Sequence, residues 1–112
     1  MNLNEYQDLT DETAIYPEAG EGSITALAYV GLGLGEVGEL QGKIKKILRD
    51  DNGVLTPSRR KELIDELGDV LWYVARLARE LDVSLNSVAN GNAVKLASRR
   101  DRGVLGGSGD NR

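Results

Sequence analysis

Residues 56–85 read TPSRRKELIDELGDVLWYVARLARELDVSL. Thr56 suits an N-cap, Pro57 the first helical position and Glu62 the early turns, so a helix begins here. Leu63, Leu67, Val70, Val74, Leu77 and Leu81 then follow at spacings of 4-3-4-3-4. That spacing lays an apolar seam along one face, suited to packing on other helices in a bundle. Glu66 and Asp69, three residues apart, form a stripe beside the seam. At about 100° per residue, Trp72 falls opposite it. A Trp there anchors a subunit interface or stacks on a nucleobase.

Working outward, Ser84 is the N-cap of a further helix over about 84–100, with Leu85, Val88, Val94 and Leu96 as its apolar positions. The end, GVLGGSGDNR, is Gly-rich and without period, so residues 104–112 read as a tail after a helical domain spanning 1–103. Upstream, Asn52-Gly53 marks a turn. Before it, residues 24–49 carry apolar residues at helical spacing and read as one helix. Residues 15–23, with Pro17, Gly20 and Gly22, read as a loop, and Asn2 to about Ala14 as a short polar helix. No strand pattern and no long repeat is found. The expected fold class is all-α, a four-helix bundle. At 112 residues the core of one bundle is small, which favours an oligomer.

Composition narrows the chemistry. The chain has no Cys and no His, which removes disulfides, thiolate nucleophiles and imidazole catalysis. Acid–base work falls to carboxylates, lysines, tyrosines or a metal-bound water. Residues 1–42 hold eight acidic side chains and no base; residues 43–112 hold all fourteen bases against ten acids. Long nucleic acid is a poor partner for the acidic half. A small polyanion gripped by a few bases, with a metal between, suits both halves. No apolar run approaches the roughly 18 residues of a membrane span, and no signal-peptide pattern opens the chain, so a cytoplasmic protein is expected.

The stretch GEVGEL, residues 35–40, sets a second carboxylate pair, Glu36 and Glu39, among Gly31, Gly33, Gly35, Gly38 and Gly42. Glycine weakens a helix interior by about 1 kcal/mol relative to alanine, so the cluster calls for a reason, and close approach of a helix or ligand supplies one. Glu66 and Asp69 repeat the three-residue spacing. If the two helices pack antiparallel, as the short 50–56 connection implies, the four carboxylates converge. Such a cluster needs cations, and Mg2+ suits it, because that ion takes oxygen ligands and pairs with phosphates. A bland alternative is a solvated surface, with Glu39 paired to Lys43 at i+4. Farther on, Asn92, Lys95 and Arg99 share a helix face that can hold phosphates and a sugar or base group.

With these residues in view, the chain resembles the MazG-like nucleotide pyrophosphohydrolases of the all-α NTP pyrophosphatase superfamily. The resemblance runs from about Tyr6 to the C-terminus. Its anchors are LGLGEVGELQGKIKK (32–46), ELIDELGDVLWYVARLARELDVSL (62–85), NAVKLASR (92–99) and GSGDNR (107–112). It implies Mg2+, with Mn2+ as a substitute, held by Glu36, Glu39, Glu66 and Asp69. It implies cleavage of a nucleoside triphosphate between the α and β phosphates, giving a monophosphate and pyrophosphate. Asn92 and Lys95 match an Asn-x-x-Lys segment that contacts substrate, and such proteins are homodimers or homotetramers. One departure stands out: many members have Glu-Glu-x-x-Glu, whereas here Gly35 precedes Glu36. That departure keeps open a second reading, a non-catalytic helical module binding a nucleotide or a protein.

Overall fold

The structure is a computed structural model describing all 112 residues. It contains five α-helices, one 3-10 turn and no strand. Helix α1 spans Leu3–Thr10 and runs into the 3-10 turn Asp11–Thr13. Asn2 caps α1 in a reciprocal box: its Oδ1 accepts the Glu5 amide at 2.8 Å, and Glu5 Oε2 accepts the Asn2 amide. Helices α2 (Ile24–Gly33) and α3 (Glu36–Asp50) follow, then α4 (Pro57–Glu80) and α5 (Leu85–Asp101). Ser23, Thr56 and Ser84 cap α2, α4 and α5 through their side-chain oxygens.

The single helix expected over 24–49 is two. Between them the ladder tightens to i→i+3 bonds: Gly35 N–H to Leu32 O, Val37 N–H to Leu34 O and Gly38 N–H to Gly35 O. Glu36 and Glu39 therefore lie in the first turn of α3, not in a helix interior. Negative charge is favoured at a helix N-terminus, where unpaired amides and the macrodipole are positive. The glycines also separate by role. An added Cβ at Gly33 would lie 2.1 Å from Tyr73 Cε1, so that residue lets α2 cross α4 closely. At Gly31, Gly38 and Gly42 a Cβ would meet nothing within 4 Å, so close approach within this chain does not explain them.

Helix α4 is the central element, contacting α1, α2, α3 and α5, and α3 most extensively. Asn52 and Gly53, both at positive φ, turn the chain between α3 and α4. Arg59 joins Asp51 at 2.8 Å and Lys43 joins Glu66 at 2.8 Å, the pairing of an antiparallel hairpin. The core is in two parts. Tyr16, Ala26 and Val30 gather Trp72, Tyr73 and Leu77; Ala75, Ala78 and Leu85 gather Tyr6 and Val74.

The seam expected on α4 is not its buried face within one chain. Leu67 and Leu81 are 58% and 56% exposed, while Glu66, Ala75, Arg76, Ala78 and Glu80 are buried. Alanines let α1 and α5 approach, Arg76 and Glu80 bind the N-terminal segment, and Glu66 pairs with Lys43 of α3. The aliphatic side chains Ile64, Leu67, Val70, Leu71 and Val74 instead wall an open apolar trough of about 430 Å3. Trp72 is half-buried under the chain's own N-terminal segment: its Nε1–H donates to Thr13 Oγ1 at 2.8 Å, and its ring meets Tyr16 edge-on.

Candidate metal centre and adjoining cleft

The hairpin of α3 and α4 brings the two carboxylate pairs together. Glu36, Glu39 and Glu66 each offer a carboxylate oxygen, and these oxygens lie within 4.8 Å of one another. Asp69 is outside that tight group but lines the same cleft as Glu36. The charges feel each other. Glu39 foremost, then burial, Glu66 and Asp69, raises the Glu36 carboxyl above its ordinary range.

Glu66 is 8% exposed, and its two oxygens differ. Oε1 takes Lys43 Nζ at 2.8 Å; Oε2 is buried without a hydrogen-bond partner. An orphaned buried carboxylate oxygen beside two further carboxylates is an arrangement that could hold a metal ion. The donors are all hard oxygens, so the residues fit Mg2+ or Mn2+ and suit no soft metal. Glu39 does not take up Lys43 at i+4; the lysine reaches across to α4, and Glu66 holds its ammonium more firmly protonated.

Beside the carboxylates opens a cleft of about 440 Å3 walled by Thr13, Glu36, Asp69, Trp72 and Tyr73. It is therefore acidic on one side and aromatic on the other. Trp72 and Tyr73 meet edge-to-face at 5.0 Å. Burial first, then the charge of Glu36, raises the Tyr73 phenol. Sequence reasoning missed Thr13 and Tyr73. Thr13 sat at the end of the short polar helix expected from Asn2 to about Ala14, and Tyr73 is signalled only by its place four residues after Asp69, one turn along α4.

The basic row is placed elsewhere. Helix α5 packs chiefly on α1 and α4, through Leu85 against Ala75 and Ala78. Asn92 and Lys95 are exposed, and Arg99 is buried. The tail folds back on this row: Arg99 donates to Asp110 O at 3.0 Å, and the Asp110 carboxylate stands 3.6 Å from Arg99 and 3.9 Å from Lys95. Glu36, Glu39 and Glu66 thus cluster next to a cleft that Glu36 and Asp69 line, whereas Lys95 and Arg99 engage the C-terminal segment.

Comparison with known proteins adds to this geometry. A model of the MazG nucleotide pyrophosphohydrolase domain matches residues 25–104, which include all four carboxylates and the α5 row. The Gene 37 protein of Mycobacterium phage L5 is 56% identical over 114 residues, across the whole of both chains. No solved structure matches the chain.

Proposed function

Because this chain belongs to the MazG nucleotide pyrophosphohydrolase domain family, we propose that it hydrolyses a nucleoside triphosphate between the α and β phosphates, releasing a monophosphate and pyrophosphate with Mg2+ or Mn2+. The observation that carries this reading is the trio Glu36, Glu39 and Glu66 with the orphaned Glu66 oxygen, opening on a nucleotide-sized cleft.

When bound, the divalent ion supplies charge neutralisation for the polyphosphate and acidity to a water. The chain's own residues do the rest. Glu36, Glu39 and Glu66 hold the ion, with Asp69 completing the acidic wall. Lys43, next to Glu66, would offer a cation to the phosphates. Asn92 and Lys95 contact sugar and phosphate, as the family resemblance implies, and Arg99 extends their row.

The active form is a homo-oligomer in this reading. The chain exposes 7551 Å2, against about 6,000 Å2 for a compact monomer of 12.1 kDa. Its radius of gyration is 17.0 Å, against about 13 Å. The excess area matches what a chain gives up to a permanent partner, and the Ile64–Val74 trough is apolar enough to receive a second copy. The deciding experiment measures pyrophosphate release from a panel of NTPs and dNTPs with Mg2+, with Mn2+ and with EDTA. Release that EDTA abolishes supports the reading; no release from any nucleotide refutes it.

A further inference from the structure

Behind the aromatic wall lies a buried ionic network that the metal chemistry does not use. Glu80, 4% exposed, accepts three hydrogen bonds: from Tyr16 OH at 2.5 Å, Gly20 N–H at 2.8 Å and Gly22 N–H at 2.9 Å. Gly20 and Gly22 are at φ +85° and +66°, which turns their amides toward one carboxylate. Arg76, 1% exposed, donates to Tyr16 OH and Thr10 Oγ1 and pairs with Asp11. Charges buried this deeply persist only when fully partnered, and here they tie residues 10–22 to α4.

The network leads to the cleft through rings. Tyr16 stacks on Tyr29 at 5.3 Å and meets Trp72 edge-on at 6.2 Å; Trp72 is pinned by Thr13 and forms the cleft wall. We infer that Glu80 is a positioning residue for this cleft, holding Tyr16 and the 18–22 loop so that Trp72 presents a fixed surface to the nucleoside part of the substrate. This rests on the proposed function. It adds that nucleoside binding and metal binding are separable, because Glu80 touches neither the carboxylate trio nor Lys43.

Glu80→Gln keeps the side-chain shape but removes the charge that two amides and a phenol address. Tyr16→Phe keeps the rings and removes one donor. Both variants are to be compared with the wild type for nucleotide kinetics, Mn2+ affinity, melting and the emission of Trp72, the only Trp in the chain. Glu80→Gln is expected to raise KM about tenfold with kcat and Mn2+ affinity nearly unchanged, the signature of lost substrate binding. Its Trp72 emission should shift to the red. Tyr16→Phe should move the same quantities by less, and it decides the matter if Glu80→Gln does not fold. If wild type turns over no nucleotide, Trp72 quenching by nucleotide, set against inorganic tripolyphosphate, still reads the cleft. Weaker nucleotide quenching in the variants upholds the positioning role although the reaction reading fails. Unchanged KM and quenching in folded variants, or loss of Mn2+ affinity alongside KM, overturns it.

Discussion

Lys43 on α3 reaches across the helix hairpin to Glu66 on α4, Nζ to Oε1 at 2.8 Å, in the midst of three carboxylates. It is the cation paired with the most buried carboxylate of that corner. Lys43→Met should therefore weaken the metal-free protein modestly, as loss of a partly exposed ion pair does. The same change should tighten Mn2+ binding, since the ion no longer competes with an ammonium. Denaturant unfolding with EDTA and with Mn2+ separates the two effects; the variant's deficit should shrink or reverse as Mn2+ is added.

Glu39→Gln removes the largest influence on Glu36. The Glu36 carboxyl should then titrate nearer its ordinary range in an NMR pH titration. A carboxyl raised in the folded state favours its protonated form there, so its ionisation works against folding as pH rises through that value. Relieving it should leave the variant at least as stable as wild type at neutral pH. Mn2+ affinity and pyrophosphate release should both collapse.

Gly33 and Gly31 make a controlled pair on α2. Gly33→Ala drives a methyl into the Tyr73 ring and should cost about 1–3 kcal/mol by overpacking. Gly31→Ala enters open space in one chain and should gain about 0.5–1 kcal/mol from helix propensity. Thermal melts give opposite signs if the crossing of α2 over α4 is as close as described. A loss at Gly31 as large as at Gly33 means that a second chain packs there.

Acid should undo the Glu80 network. Burial tends to raise that carboxyl, but the bonds from Tyr16, Gly20 and Gly22, with Arg76 nearby, outweigh it and hold it below its ordinary value. A depressed carboxyl adds stability above its unfolded value, about 4.3, and loses it as pH falls through the folded value. Wild type should lose stability over that interval, and Glu80→Gln should lose less. Melting temperatures taken from pH 7 to pH 3 provide the check.

Leu67→Glu puts a charge into the apolar trough of α4. Sedimentation of wild type should show an oligomer at micromolar concentration, and the variant should shift toward monomer. Trp72→Ala is a poorer probe, because the N-terminal segment of the same chain already covers that ring.

The helical character of the chain and the ends of α4 and α5 were legible because capping is local: Thr56, Pro57 and Ser84 act on amides within one turn. The junction at Leu34–Gly35 was not, since apolar spacing continues through it and the glycines mark it only as weak helix. The convergence of Glu36, Glu39 and Glu66 followed from spacing plus a short connection. Long-range pairings left no such mark. Glu80 and Arg76 read as ordinary charges on a helix, and nothing near them names Tyr16 or Gly20, some 60 residues away, as their partners. The α4 seam was legible as apolar, but Leu67 and Leu81 on it lie exposed, because alanines and paired charges take the face that packs on α1, α2 and α5.

Gln7 ties the first helix to the turn between the last two. Its side-chain amide donates to Val83 O and accepts from Leu85 N–H, both at 2.9 Å, closing loops of 76 and 78 residues. Contacts of such separation form late, because the entropy of closing the loop is spent before the contact rewards it. During synthesis α1 emerges first and finds its main surface when α4 follows, but the Gln7 contacts wait until residue 85 has left the ribosome. A nascent chain halted before α5 would therefore hold residues 10–22 on α4 through Arg76 and Glu80, with the Gln7 clasp still open. Stopped-flow refolding followed by Trp72 emission should then give nearly the same rate of covering that ring in wild type and in Gln7→Ala.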